Sequence, residues 1–383
     1  MQEQRRKLDD VTVGFVISHP FHFYIYRPLI RALAKPLAII ETRKGTPFTF
    51  SKEFLAELGC EFIIVDETKL GKTDQSVDVV FVMTPKHLSA KFTNAKVVLM
   101  QYGMAKEFYN YGLWRCRADA NFMYGPYSAA ICQNYAVTFP VGNTRFDGFS
   151  PRATGGGGLL YMPTYGDVSS LRAFAEALPD MPQDLSIKLK LHHASEFSDA
   201  KVIAKLAEDP RITLIDAYTD VLEDIAAADI VLTDYSGAIF DAIYMEKPLV
   251  LFQPEVTQNV TRVTESSIEI QRGEELGHVL KSREELLGFL QAFTDGTMSS
   301  YPVKADRAEF FSNIGAATPA ALALLEKLIN DEIARSVTQE STYETYMKLI
   351  SRPQVIGFKT AFKKRIMGYM RRAVGVLRRW KLV

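Results

Sequence analysis

The chain has 383 residues, of which 47% are hydrophobic and 23% charged, a composition typical of folded globular proteins. A chain of this length usually forms more than one hydrophobic core, so we expect two domains. Its three cysteines lie far apart, which excludes a disulfide framework and fits a reducing cytosol. No apolar run is long enough to span a membrane, and no carboxylate cluster calls for a metal, so we expect neither metal nor cofactor.

Short apolar runs alternate with helix-like segments along most of the chain. Five runs lie in the first part of the sequence, at 12–18, 37–41, 61–66, 78–83 and 96–101. Five more lie in the second part, at 159–164, 185–192, 212–216, 229–234 and 248–252. Continuously apolar, β-branched strands are typical of parallel sheets that helices cover on both faces. The pattern predicts an α/β protein.

A glycine-rich stretch, SPRATGGGG at 150–158, separates the two groups of predicted strands. Four consecutive glycines rarely form regular structure, so this is the best candidate for a linker. We therefore predict one domain at 1–150 and a second at 151–350, in which residues 306–349 form the closing helices.

Polar residues at the ends of the predicted strands are the candidate site residues, because ligands of such sheets bind beyond the carboxyl ends of the strands. In the first domain these are Ser18, His19, His22, Gln101, Tyr102 and Gly103. In the second they are Thr164, His192, His193 and the stretch 233–237.

The stretch VLTDYSGAIFDA joins a predicted strand directly to a predicted helix. Ser236 stands at the expected N-cap, and Gly237 follows without a side chain. The first N–H groups of the helix and its positive dipole end then face the cleft, which predicts a phosphate site. The alternative is an ordinary helix cap that binds nothing.

The segment TDYSGAIFDA resembles the TDYSS-x-x-x-D signature of the CDP-glycerol glycerophosphotransferase family, the teichoic acid polymerases and primases. Three further segments occur in the order of that family: GNTRFD (142–147), YMPTYGD (161–167) and KLHH (190–193). The resemblance covers roughly residues 95–255. It implies the GT-B fold, in which two Rossmann-like domains hold the donor nucleotide in the cleft between them.

The resemblance also implies a reaction, the transfer of a polyol phosphate from a CDP-activated donor to an acceptor hydroxyl with release of CMP. It implies that Ser236 and Gly237 hold the diphosphate, that Asp241 faces the transferred group and that His192 stabilises the phosphate or the leaving group. Arg145 is expected either to approach phosphate oxygens or to pair with Asp147 in its own turn. The other residues expected to bind substrate are Asp234, Thr164 and His193.

Three reactive positions depart from the family pattern: Tyr102, Gly237, which replaces the second serine of the signature, and Gly166, which replaces an arginine. The first catalytic histidine of the family lies in a tryptophan-histidine-glycine-threonine-proline motif, and Tyr102 stands at the matching position here. Because tyrosine is a poor base at neutral pH, we predict His22 or His19 as the replacement base, with His193 as a further alternative. The alternative is that these histidines are ordinary surface residues or packing residues without a catalytic role. We expect His87 to be a surface residue.

Residues 357–383 contain nine Lys or Arg and no acidic residue, which leaves the rest of the chain acidic. Apolar residues recur there at steps of three and four: Phe358, Phe362, Ile366, Met370, Val374, Leu377 and Trp380. This pattern predicts, within 351–383, an amphipathic helix that lies on an anionic membrane surface. A core-packing helix and an RNA-binding helix are the alternatives, and without a base-reading motif we expect no nucleic-acid partner.

The sequence thus predicts a peripheral enzyme on the cytoplasmic face of the cell membrane. Its expected acceptor is a cell-envelope polysaccharide or a lipid-linked molecule. One alternative is a glycosyltransferase of the same fold that uses a nucleotide-sugar donor for capsule or lipopolysaccharide synthesis. A second alternative is a non-catalytic scaffold for envelope assembly.

Overall fold

The computed structural model of the chain describes residues 5–43, 50–89, 92–106, 110–149, 156–254, 263–264, 266–297 and 303–351. They form two parallel sheets with helices around them. The ten predicted strands are all present, with ends shifted by two residues at most, and the α/β class is confirmed. The predicted helix at 351–383 falls almost entirely outside the described residues.

The first sheet has seven strands in the order β3-β2-β1-β4-β5-β6-β7, all of them parallel. The strands are β1 Val13–Ile17, β2 Pro36–Thr42, β3 Glu61–Asp66, β4 Val79–Val82, β5 Lys96–Met100, β6 Ala120–Met123 and β7 Thr138–Pro140. In the central register Val13 lies opposite Pro36 on one side and Val79 on the other.

The second sheet has six strands in the order β10-β9-β8-β11-β12-β13, again all parallel. The strands are β8 Leu159–Met162, β9 Ile187–Lys190, β10 Ile212–Ile215, β11 Ile230–Thr233, β12 Leu249–Phe252 and β13 His278–Leu280. The two sheets have the same strand order around β1 and β8. In each sheet the next two strands of the chain lie on one side of that strand, and the strands that follow lie on the other side, so the order reverses there. These reversals are where doubly wound sheets bind ligands.

Fourteen α-helices are present among the described residues. They are α1 Pro20–Ala32, α2 Lys52–Glu57, α3 Pro126–Cys132, α4 Leu171–Ala177, α5 Ser195–Ser198, α6 Ala200–Ala207, α7 Leu222–Ala227, α8 Ala238–Tyr244, α9 Ile268–Gln271, α10 Gly273–Leu276, α11 Arg283–Thr294, α12 Arg307–Phe310, α13 Ala317–Ile329 and α14 Val337–Ser351. No helix in this described part of the chain is long and apolar enough to cross a membrane.

Each sheet has hydrophobic side chains on both faces. In β1, Phe15 and Ile17 belong to one core cluster, whereas Val16 between them belongs to the cluster on the opposite face. In β8, Tyr161 and Leu160 divide between two clusters in the same way. Neighbouring residues of one strand are thus buried on opposite faces of the sheet, which explains why the strands are continuously apolar.

Helix α13 packs against the first sheet, although it follows the second sheet in the chain. Its residues Ala321, Leu325 and Leu328 lie in the core cluster of the first sheet. The carboxylate of Asp147 accepts hydrogen bonds from the first N–H groups of this helix, at 2.9 Å from Ala317 N and 2.6 Å from Thr318 N. The predicted closing segment 306–349 therefore contributes to the core of the first sheet.

Candidate active site between the two sheets

The loop after β1 begins the site. His19 is the N-cap of α1, and its Nδ1 accepts a hydrogen bond from the N–H of Phe21 at 3.1 Å. His22 lies one turn into the helix, with its Nδ1 3.4 Å from both the backbone N and the Oγ of Ser18. Both histidines are buried, with 8% and 3% of their surface exposed. They are therefore not surface residues.

The loop after β9 supplies two more histidines to the same place. The ring of His193 lies 3.9 Å from that of His19 and 4.0 Å from that of His192, measured between centroids. The ring of His192 stacks in turn on Tyr165, at 4.2 Å. Histidines that are more than 170 positions apart in the sequence thus form one continuous row of rings, which we call the histidine row: His22, His19, His193 and His192.

Burial keeps three histidines of the row, His22, His19 and His193, from ionising. Desolvation, with the nearby His193 and His22, lowers the pKa of His19 to about 2. Desolvation and the positive charge of Lys190 lower the pKa of His193 to about 4. Burial also lowers the pKa of His22, and His87, Arg43 and His193 add to the effect. At neutral pH these three imidazoles are uncharged.

Hydrogen bonding assigns a tautomer to two members of the row. The Nδ1 atoms of His19 and His192 both accept from a backbone N–H, that of Phe21 and that of Ala194, at 3.1 Å in each case. In a neutral imidazole the other nitrogen then carries the hydrogen. His19 and His192 are therefore suited to donate a hydrogen bond through Nε2 rather than to accept a proton there. The contact of His22 with Ser18 is at the long limit of a hydrogen bond and fixes its tautomer less firmly.

His87 is not a surface residue, contrary to the prediction. It is 1% exposed, and its Nε2 lies 2.8 Å from Oε2 of Glu41, which is 3% exposed. The ring of His87 is edge-on to that of His22, with 6.0 Å between centroids. Burial opposes the ionisation of Glu41, but His87 and Arg43 prevail and hold its pKa at about 2. A carboxylate at the end of an apolar strand was the signal in the sequence for this pair.

Tyr102, at the position of the family histidine, lies beside the row. Its ring is 5.4 Å from that of His22 and 5.6 Å from that of Phe21, edge-to-face in both cases. Burial and the neighbouring Tyr165 raise the pKa of Tyr102 to about 12, against the opposing influence of Arg145. A phenol with this pKa is protonated at neutral pH and cannot act as a base there.

Asp234 is completely buried and bonds to the protein itself. Its carboxylate accepts from the N–H groups of Thr164 at 2.8 Å and Ser170 at 2.9 Å, and from the hydroxyl of Ser170 at 2.9 Å. Burial raises the pKa of Asp234 to about 6, although these hydrogen bonds oppose the shift. Both oxygens of Asp234, a predicted substrate ligand, thus bond to the protein. Asp234 fixes the loop after β8, including Thr164, in place next to the histidine row.

Ser236 and Gly237 follow at the start of α8. Gly237 rather than Ser236 is the N-cap residue, and the Oγ of Ser236 accepts from the N–H of Ala238 at 3.3 Å. Gly237 is exposed, and a Cβ atom added there would meet no protein atom within 4 Å. The backbone at this turn is therefore open to approach, as the phosphate prediction requires, although α8 has only seven residues.

Arg145 joins the two halves of the chain. Its guanidinium donates to Asp220 at 2.7 Å and 3.1 Å and to Asp241 at 2.9 Å, with 2% of the residue exposed. The predicted alternative, a pair with Asp147, is wrong, because Asp147 caps α13 instead. Asp241 faces Arg145, and burial raises its pKa while the guanidinium opposes that shift. The predicted substrate ligands Arg145 and Asp241 thus bind each other.

Lys106 is a second link between the halves, one that no motif in the sequence indicated. It lies in the loop after β5, yet its N–H donates to Oε1 of Glu269 and its Nζ donates to Oγ1 of Thr164, at 2.9 Å and 2.7 Å. Its ammonium also lies over the ring of Tyr165, 5.7 Å from the centroid. Among the described residues, no group of three or more His, Cys, Asp or Glu is arranged to hold a metal ion.

Solved structures share this fold. A protein from Listeria monocytogenes described as a UDP-N-acetylglucosamine 2-epimerase is 16% identical over 86% of this chain and 98% of its own, with a TM-score of 0.58. The S. aureus MnaA–UDP structure is 16% identical over 84% and 97%, with a TM-score of 0.58. The wall teichoic acid polymerase TagF is 16% identical over 85% and 90%, with a TM-score of 0.56. The predicted GT-B architecture is confirmed.

Sequence comparison gives a match over part of the chain. No curated protein matches the chain. Residues 150–312, however, match the family of CDP-Glycerol:Poly(glycerophosphate) glycerophosphotransferases. This segment contains the loops after β8, β9 and β11, and so half of the histidine row and the whole TDYSG stretch. The resemblance inferred from the TDYSG stretch is confirmed, and residues 150–312 carry the sequence pattern of the CDP-glycerol:poly(glycerophosphate) glycerophosphotransferases.

Proposed function

We propose that the protein is a transferase that moves a polyol phosphate, of the glycerol- or ribitol-phosphate type, from a CDP-activated donor to an acceptor hydroxyl. The observation that carries the proposal is the histidine row, which brings two histidines from each half of the chain to the facing ends of the sheets. The family match over 150–312 supports the donor class. One TagF structure, of the same fold, was soaked with CDPG.

The proposed step is a displacement at the phosphorus that carries the polyol. The acceptor oxygen forms a new bond to this phosphorus, and the phosphoanhydride bond to the CMP half breaks. CMP leaves with the bridging oxygen, and the acceptor proton passes to a base. Such a reaction requires a proton acceptor at the attacking hydroxyl and hydrogen-bond donors at the diphosphate, where negative charge accumulates.

The row offers both kinds of group. His19 and His192 present Nε2–H groups, which suit them to donate to diphosphate oxygens. His22, whose tautomer is less firmly fixed, is the residue that we assign as the base, with His193 as the alternative. The low pKa values of His19, His22 and His193 leave these three imidazoles neutral, as a base must be before reaction. A bound diphosphate places negative charge beside them, which raises their pKa values and stabilises the imidazolium once the proton has moved.

For the acceptor we propose a cell-envelope polysaccharide or a lipid-linked molecule, and for the location the cytoplasmic face of the membrane. The support is the basic amphipathic pattern of residues 357–383, which suits an anionic lipid surface. These residues lie outside the described part of the chain.

Product analysis tests the proposal. The full-length protein is incubated with CDP-glycerol and an oligomeric glycerol-phosphate primer, and the nucleotide products are separated by ion-exchange chromatography. We expect CMP in equal amount to new phosphodiester detected by phosphorus NMR. A parallel incubation with UDP- and CDP-linked sugars is the control. Release of a nucleoside diphosphate from a sugar donor, with no CMP from CDP-glycerol, would overturn the proposal.

A further inference from the structure

Lys106 has a backbone conformation that lysine rarely adopts. Its φ angle is +61°, in the left-handed region where the Cβ atom crowds the backbone. Residues held in such conformations persist only where their surroundings determine them, and they concentrate at ligand-binding and catalytic positions. The conformation therefore raises the question of what holds Lys106 and where it places the side chain.

Glu269 holds the backbone. Its Oε1 accepts the N–H of Lys106 at 2.9 Å, and Glu269 is 0% exposed. Helix α9, which carries Glu269, follows the second sheet in the chain, whereas Lys106 belongs to the loop after β5 of the first sheet. The strained residue of one half is thus fixed by a buried carboxylate of the other half.

The side chain extends toward the proposed donor site. Its Nζ donates to Oγ1 of Thr164, the residue that the Asp234 carboxylate fixes beyond β8. The ammonium lies over Tyr165, and Tyr165 stacks on His192. An ammonium is a strong point donor for phosphate oxygens, and here it lies beside the histidine that we assign to the diphosphate.

Two other cations near the row are bound differently. Arg145 is held between two carboxylates, Asp220 and Asp241. Lys190 donates to the backbone carbonyls of Asp216 and Thr219, and burial lowers its pKa to about 8 although Asp216 opposes the shift. These contacts give Arg145 and Lys190 structural tasks. The Nζ of Lys106 donates instead to the hydroxyl of Thr164, in the loop beside the proposed donor site.

We propose that Lys106 binds the diphosphate of the nucleotide donor. The hydrogen bond from its strained backbone to Glu269 holds Lys106, which follows a strand of the first sheet, next to the loop after β8. The inference rests on the proposed function, since it takes the ligand to be a nucleoside diphosphate. Lys106 thereby links donor binding to the approach of the two halves, because its anchor and its target both belong to the second half.

The test compares ligands that share the base but differ in phosphate. Calorimetry measures the affinities of CDP, CMP and cytidine for the wild-type protein and for Lys106→Met, Lys106→Arg and Lys188→Met. Lys188 is the matched control, a half-exposed lysine of β9 whose Nζ binds Asp224 at 2.9 Å. We expect Lys106→Met to weaken CDP binding by about 10- to 100-fold, the scale of one charge-assisted hydrogen bond, and to leave cytidine unaffected. The Lys106→Arg variant should retain most of the affinity, and Lys188→Met all of it.

Three other outcomes would contradict the inference that Lys106 binds the diphosphate. Equal loss of CDP and cytidine binding in Lys106→Met would overturn the inference, because it would show that Lys106 only shapes the site. Unchanged CDP affinity in a variant that melts like the wild type would overturn it as well. If the wild-type protein binds none of the cytidine compounds, the proposed function fails and this inference fails with it.

Discussion

Replacing Arg145 with methionine should destabilise the fold through the two carboxylates left behind. Asp220 and Asp241, whose side chains are 14% and 22% exposed, would lose the guanidinium that they share. Removing one partner of a buried ion pair costs about 3–5 kcal/mol. Because the two carboxylates retain some solvent, we expect the lower end, about 3 kcal/mol. For a folding unit of 150–250 residues this lowers Tm by about 6–12 °C.

The loss of stability in Arg145→Met should be larger at high pH than at low pH. Burial already raises the pKa of Asp241 above its ordinary value, and removing Arg145 takes away the main group that opposes the rise. In the variant, the folded state therefore binds a proton more readily than the unfolded state does, so stability falls as the pH rises through the raised pKa. The difference in Tm between wild type and Arg145→Met should be smaller at pH 5 than at pH 8.

Thermal melts followed by circular dichroism at both pH values, with urea titrations read by two probes, provide the measurement. The matched control is Arg283→Met, which removes an arginine whose side chain is 44% exposed and whose partner, Asp180, is 56% exposed. We expect it to cost less than about 1 kcal/mol. The double variant Arg145→Met with Asp241→Asn should recover part of the loss. A Tm within 1 °C of the wild type, or a loss that grows at low pH, would refute the reasoning.

Three further predictions concern the donor, the base and the membrane. Gly237→Ile should weaken nucleotide binding without lowering Tm, since its side chain would occupy open space at the turn; unchanged affinity by calorimetry would contradict the phosphate assignment. His22→Ala should lower turnover by about 100- to 10,000-fold with donor binding retained, and His19→Ala should weaken diphosphate binding instead. Wild-type turnover in His22→Ala together with an inactive Tyr102→Phe would reverse the assignment of the base. Removal of 352–383 should leave a folded enzyme that acts on a soluble acceptor but no longer sediments with anionic liposomes; continued sedimentation would exclude the tail as the anchor.

The strands could be predicted from the sequence because burial on both faces makes them continuously apolar. The pattern missed the three strands β6, β7 and β13. Of these, β7 and β13 have three residues each and lie at the edges of their sheets. β6 contains Asn121, a buried amide that bonds to backbone carbonyls and interrupts the apolar run. Short edge strands leave too little pattern to recognise.

The candidate site could be predicted only in part. The sequence predicted four histidines of the site because each follows the end of a strand, which can be recognised from its position in the chain: His19, His22, His192 and His193. The partner of Arg145 could not be found in this way, because Asp220 and Asp241 approach it only when the two halves pack together. The same holds for Lys106, whose conformation depends on a carboxylate more than 160 positions away.

The path of the chain around α13 affects how the protein can be divided. The segment leading into this helix returns to the first half, where the N–H of Ser312 donates to the carbonyl of Tyr124 and Nδ2 of Asn313 donates to the carbonyl of Val141, both at 2.9 Å. The backbone therefore connects the two halves twice, once between β7 and β8 and once ahead of α13. A fragment that ends at residue 150 lacks α13 and exposes the apolar surface that Ala321, Leu325 and Leu328 cover, so it should aggregate. Joining residues 312–330 to that fragment through a flexible linker should restore its solubility.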